Sequence, residues 1–220
     1  MSVSGLFLVL FLLFHMSMNL AAVFSTEAYN AICEFLGANW YALAGTLILA
    51  AGVVVHLVYA TVLTLHNRSS RGSQRYAMTA EPEGVTWASR NMYVLGIIIV
   101  LGLLLHLYNF WYNMQFAEII GTHELGPFPP ADGAAYIAAL FSSPVYCIIY
   151  LVWFAAIWFH LTHGFWSAFH TIGWDNQTWL PRLKRIANVV ATIVFLCFAL
   201  VVIVFYLRSL GVCGGSCAGF

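Results

Sequence analysis

Five long apolar stretches, almost free of charge, dominate this chain at residues 4–24, 40–65, 91–116, 135–169 and 186–210. At 1.5 Å per residue, each is long enough as a helix to cross about 30 Å of hydrocarbon. The stretches are continuous rather than alternating, which excludes a β-barrel. Helices remain, because a helix satisfies its own backbone polar groups inside lipid. The expected fold class is all-α: one domain over residues 1–220, an integral membrane bundle of five transmembrane helices with the lipid bilayer as its solvent. Composition agrees, at 62% hydrophobic and 7% charged, where a soluble domain carries roughly a quarter charged residues. The formal net charge is zero and no long basic run occurs, which argues against nucleic acid as a partner. The fourth stretch is overlong. It should tilt, or contain a surface turn near Ser142-Ser143-Pro144. The first stretch has no Lys or Arg before it and is long for a signal peptide, so we read it as a retained span. It starts so early that a missing N-terminal lead is compatible with it.

Charge then orients the bundle. The second-to-third connection holds Arg68, Arg71 and Arg75 and ends at Arg90; the fourth-to-fifth holds Arg182, Lys184 and Arg185. The other two connections hold Glu27, Glu34, Glu118, Glu124 and Asp132 and no Lys or Arg. Cytoplasmic loops carry the basic excess, so the N-terminus is expected in the cytoplasm and the C-terminus outside. An outside C-terminus permits a Cys213–Cys217 disulfide. Cys147 and Cys197 read as small hydrophobes within apolar segments. The NxS/T matches at Asn67 and Asn176 fall on the inside and read as chance.

Ionisable residues in membrane spans are costly, and each is a functional hypothesis. His15, His56, His106 and His160 occupy the first four stretches, one each, and His163 adds a second in the fourth. A single such histidine can simply bond a neighbouring helix. Four on four successive helices make four separate explanations of that kind uneconomical. Depth sorts them. His106 is sixteen residues past Arg90, about 24 Å at helical rise, and His15 lies past the middle of its stretch, so both approach the outer face. His56 and His160, on helices running inward, share an inner tier. Two imidazoles from different helices can fill both axial positions of a haem iron in a bundle core. Gly52, Gly102 and Gly164 each stand four residues from a histidine on the same helix face, where a missing side chain makes room for a flat porphyrin edge. Close helix packing by small residues is the competing explanation. His160 and His163 are three apart and compete for the inner position. His66 and His170 sit near the inner boundary, and His123 in an outer loop; interfacial or solvated roles suit them better than ligation.

With these residues in place, the whole chain resembles the cytochrome b membrane subunit of succinate dehydrogenase and fumarate reductase, in its single-chain, five-helix, dihaem form of the Bacteroidetes type. The likeness is carried by 6–19 with His15, by Tyr29-Asn-Ala-Ile-Cys-Glu-Phe-Leu-Gly-Ala-Asn-Trp-Tyr41, by His56, by His106-Leu-Tyr-Asn-Phe-Trp111, and by His160-Leu-Thr-His-Gly-Phe-Trp-Ser-Ala-Phe169. Related subunits place the fourth ligand in a His-x-x-x-Gly pattern, which favours His160, with Gly164, over His163. The resemblance implies two haems b, the outer held by His15 and His106 and the inner by His56 and His160. It implies menaquinone as electron partner and a complex with a flavoprotein subunit and an iron–sulfur subunit in the bacterial inner membrane. The dicarboxylate chemistry then belongs to the flavoprotein. Some relatives carry a glutamate two positions before the fourth ligand for a proton route; here that position is Trp158. Quinone chemistry needs a proton acceptor near the outer haem, and Glu34, then Glu27, are the expected groups. Three other readings stay open: a haem b anchor of a hydrogenase or formate dehydrogenase, an ion transporter that uses the histidines directly, and a bare structural anchor without haem, which would leave the histidine pairing unexplained.

Overall fold

The computed structural model describes residues 1–71, 86–122, 125–174 and 176–212. Arg75, His123, Glu124, Cys213 and Cys217, which entered the sequence reading, lie outside the described residues. The described residues contain helices and no strand. Five helices are long and apolar enough to cross a membrane.

The first is α1, Ser2–Phe24, followed by a short helix α2, Thr26–Phe35. Ser25 caps α2, its hydroxyl accepting the Ala28 N–H at 3.1 Å, and Glu27 sits in the first turn against the positive helix end. The second span is α3, Trp40–Arg71. A short α4, Trp87–Arg90, leads into α5, Met92–His106. The same rod continues as a π-helix, Leu107–Phe116, and ends in α6, Ala117–Ile119. Then come α7, Gly133–Phe141, α8, Pro144–Thr171, and α9, Trp179–Ser209.

Of the two outcomes expected for the overlong fourth stretch, the chain takes the turn. Helix α7 is a separate short helix, capped by Asp132, whose carboxylate accepts the Ala135 N–H at 3.1 Å. Ser142 and Ser143 break the rod, and Pro144, which has no N–H to lose, opens α8. The fourth span therefore starts at Pro144 rather than at 135. Helices α3 and α9 run beyond the apolar stretches at their charged ends, because a helix keeps its hydrogen bonds after its side chains emerge from hydrocarbon. Gly173, at φ 96°, ends α8: its N–H meets the His170 carbonyl and the Trp174 N–H meets the Phe169 carbonyl.

The chain runs up and down between a basic end and an acidic end. Arg68, Arg90, Arg182, Lys184 and Arg185 mark the first; Glu27, Glu34, Glu118 and Asp132 mark the second. Helix α1 packs on α3, α3 on α5, α5 on α8, and α8 on α1. These four spans form a ring in which neighbours are antiparallel and diagonal partners are parallel. Helix α9 lies outside the ring against α8 and α1. The main apolar core joins α8 and α9 to α7, α1 and α2, through Phe141, Tyr150, Phe154, Val194, Phe198 and Val202. Burial is uneven: 39% of the most apolar window of α9 is buried and none of that of α3.

Candidate functional site

The ring geometry decides which histidines can meet. Helices α1 and α5 form one diagonal and α3 and α8 the other, and the backbones of each diagonal make at most marginal contact. His15 of α1 and His106 of α5 face each other across the first, ring centroids 5.7 Å apart. His56 of α3 and His160 of α8 face each other across the second at 6.4 Å. The pairs occupy different levels. Gly5 of α1 lies beside His56, where an added Cβ would stand 3.5 Å from the ring. Ten residues of α1 separate Gly5 from His15, about 15 Å along the helix. The pair His56–His160 is thus nearer the basic end, and His15–His106 nearer the acidic end.

Aromatic rings wall the acidic-end pair. Phe11 stacks on His15 at 5.4 Å and Phe198 tilts against it at 5.9 Å. Phe110, Trp153 and Tyr150 surround His106 at 5.1, 5.7 and 6.4 Å. Asn109 donates to the Tyr150 hydroxyl at 3.1 Å, holding that ring from the first turn of the π segment. At the other level Ser4 Oγ stands 3.3 Å from His56 Nδ1. The Nδ1 atoms of His106, His160 and His163 are sealed from solvent without a hydrogen-bond partner. Each such atom costs about 1–3 kcal/mol unless something satisfies the ring.

At each level the ring spacing matches that of two imidazoles on one metal ion. Both pairs bring two imidazoles from different helices into the ring interior. A metal–imidazole bond is about 2 Å, so one ion held by both rings needs centroids roughly 6 Å apart, and both pairs lie near that spacing. Among the described residues no three His, Cys, Asp or Glu side chains gather around one point. The arrangement is two-fold at each level, not a cage for a bare cation.

The glycines divide. A Cβ on Gly52 would stand 2.7 Å from the Phe7 ring, and one on Gly102 would collide with the Trp153 indole. These two notches receive aromatic side chains of neighbouring helices, as small residues do in close helix packing. Trp153 also donates to the Ile99 carbonyl at 3.0 Å across the same contact. At Gly164 an added Cβ would stand 3.5 Å from the Met92 methyl of α5 and 3.9 Å from the His160 ring. Gly5, which the four-residue spacing rule could not flag because its histidine is on another helix, plays the same part for His56. His163 lies edge-on to Trp166 at 5.0 Å, on the side where Lys184 stands 4.6 Å over the same indole. The ring facing His56 is that of His160.

At the acidic end a surface cleft of about 380 Å³ is lined by Glu27, Asn30, Ala31, Glu34, Pro129, Ala131 and Asp132. Glu27 and Glu34 are two turns apart on the exposed face of α2. Asn30 ties α2 to α7, donating to Asp132 at 2.8 Å and accepting the Ala134 N–H at 2.9 Å. Two groups that the sequence reading gave no site role join α3 to the third span. Glu118 reaches back to accept the Ala38 N–H at 2.7 Å, and Gln115 joins Thr46, Trp111 and the Gly37 carbonyl. Both depend on the π segment, whose wider turn rotates them towards the start of α3. Sequence periodicity at 3.6 residues carries no signal for that rotation. Arg208 is the one described cation at this end; it donates to the Val23 carbonyl at 2.8 Å and lies 5.1 Å over Phe205. No family model, curated protein or solved structure matches the chain.

Proposed function

We propose that this chain is the membrane-anchoring cytochrome b subunit of a succinate:quinone oxidoreductase, exchanging electrons between an iron–sulfur subunit and menaquinone through two haems b. The observation that carries the reading is the pair of histidine pairs, one on each diagonal of a four-span ring and at two levels. Two bound haems b would supply one-electron transfer across the bilayer, with the redox chemistry proper to the cofactor. His15 and His106 would hold one iron, and His56 and His160 the other. Held by two histidines each, the haems would serve as electron carriers rather than as sites for oxygen or substrate. The apolar and aromatic walls keep water from the ligands and set a low-dielectric surround, which helps to fix each potential.

The ends divide the remaining work. Arg68, Arg90, Arg182, Lys184 and Arg185 offer a docking surface for the iron–sulfur subunit, which the flavoprotein joins. Quinone chemistry moves protons as well as electrons, and Glu34 and Glu27 line the acidic-end cleft and would exchange those protons. Trp158 donates its indole N–H to Thr192 at 3.1 Å and is not a titratable group, so α8 offers no carboxylate route beside His160. In this reading the protein is multi-pass in the bacterial inner membrane, N-terminus cytoplasmic and C-terminus periplasmic.

The test is purification of the tagged chain from its native membrane. Expected are a co-purifying flavoprotein and iron–sulfur protein, and haem absorbance that succinate reduces. A complex whose haem is reduced by hydrogen or formate and not by succinate replaces this assignment with another respiratory anchor. Specific, stoichiometric transport of a cation by the haem-free chain replaces it with a transporter.

A further inference from the structure

His15 is the only one of the four paired histidines whose ring is gripped by a polar side chain from its own helix one turn away. Asn19 donates from Nδ2 to the His15 carbonyl at 2.8 Å. The same nitrogen lies 3.4 Å from both His15 ring nitrogens. A point equally close to both nitrogens and clear of the ring carbons must lie over the ring face. The amide therefore rests its N–H edge on the imidazole face, a weak polar contact to a π system. One turn earlier Phe11 stacks on the same ring with the planes 18° apart. The His15 plane is set between a phenyl ring and an amide.

An amide can face either way, so something must choose. Tyr29 of α2 donates its O–H to Asn19 Oδ1 at 3.1 Å. A hydroxyl donor at the oxygen turns the NH2 group, and only the NH2 group, towards His15. Tyr29 is itself fixed. It is 8% exposed, and α7 closes on it so tightly that a Cβ on Gly133 would stand 2.9 Å from its ring and 2.5 Å from Cys33 Sγ.

We propose that Tyr29 and Asn19 are positioning residues that orient His15 and raise the electron affinity of the haem it shares with His106. The inference rests on the proposed function. The physical reason is electrostatic: the partial positive N–H edge over a ligand ring disfavours the more positive, oxidised metal and favours the reduced one. Tyr29 contacts neither metal nor ligand and acts through the amide. The His56–His160 pair has no such device; Ser4 approaches the edge of His56 instead.

The experiment is a redox titration of the haem-loaded wild type, Tyr29→Phe and Asn19→Leu, followed by absorbance and by low-temperature electron paramagnetic resonance. Tyr29→Phe keeps the buried ring and removes only the hydroxyl. In it we expect both haems retained and the electron affinity of one to fall at least threefold, about 30 mV at 59 mV per tenfold. The low-spin resonance of that haem should shift and the other haem should keep its potential and signal. Asn19→Leu should move the same haem in the same direction. Two haems with unchanged potentials in both variants, or both haems shifted alike, overturn this inference and leave the proposed function standing. A wild-type protein without haem overturns both.

Discussion

An imidazole inside a membrane span costs free energy at every turn, and the cost identifies which of the eight histidines matter. His66 and His170 are exposed near the basic end, where water and lipid headgroups accept them at little cost. His106 and His160 each hold a sealed Nδ1 with no partner and each face another imidazole. The paired positions were legible in the sequence, because depth in a helix follows from counting residues. His160 against His163 was not settled by spacing, since both fall within one face of the helix; the family pattern favoured His160, and His160 is the ring that faces His56. The account predicts that His15→Ala or His106→Ala removes one haem per chain and spares the other, and that His56→Ala or His160→Ala removes the second. Haem extraction and reduced-minus-oxidised spectra of the four variants check this; loss of neither haem in either member of a pair contradicts the pairing. Cys33 gives a prediction of another kind. Its burial between α2 and α7 pushes the thiol up to about 11. At pH 8 it is therefore a neutral thiol and a poor nucleophile, since the thiolate is the reactive form. Labelling by a maleimide, read by mass spectrometry of the folded protein, should be slow at pH 8 and accelerate only towards pH 11. Complete labelling within minutes at pH 8 contradicts the burial described.

At the scale of elements, the five spans were plain from hydropathy, and what hydropathy missed is what shapes the acidic end. Helix α2 is short and amphipathic, with Tyr29 buried and Glu27 and Glu34 exposed; ten residues give too little periodicity to stand out beside two membrane spans. The π segment after His106 contains only ordinary helix-compatible residues, and from it Asn109 packs on Tyr150 and Gln115 on Thr46. The α7–α8 break was legible as one of two outcomes, since Ser142-Ser143-Pro144 combines hydroxyl competitors with a residue lacking an N–H. Gly52 and Gly102 show the limit of spacing arguments. The sequence marks a missing side chain but not which neighbour fills it, and Phe7 and Trp153 do so. Gly133 follows the same logic with a measurable consequence. Gly133→Ala drives a methyl group into Cys33, Tyr29 and Met114, and overpacking of this kind costs about 1–3 kcal/mol. The midpoint of thermal unfolding in detergent should fall relative to the parent; an unchanged or higher midpoint means that α2 and α7 are not in close contact.

For the whole molecule, a ring of four antiparallel spans converts a linear pattern into a site. Diagonal spans are parallel, so equal depth along each brings two histidines level, and alternate diagonals set the two pairs at different heights. A fifth span, α9, braces the ring through α8 and α1 and carries no histidine. Helix α3 contributes His56 yet has no buried residue in its most apolar window, so its hold on the ring comes from α1, from α5 and from whatever its histidine shares with His160. Charge separates the two ends, and that asymmetry was fully legible because topology follows Lys and Arg counts in short loops. The bundle as a class, the depth of each histidine and the sign of each end come from local sequence. The packing order around the ring does not, since it depends on side-chain fit between segments far apart in the chain. The central claim is that each diagonal pair holds one haem iron between two imidazoles. The absorbance spectrum of the purified chain, with haem quantified against protein, tests it most directly. The account predicts low-spin bands of six-coordinate haem b at two haems per chain. A colourless protein from haem-replete cells would contradict it.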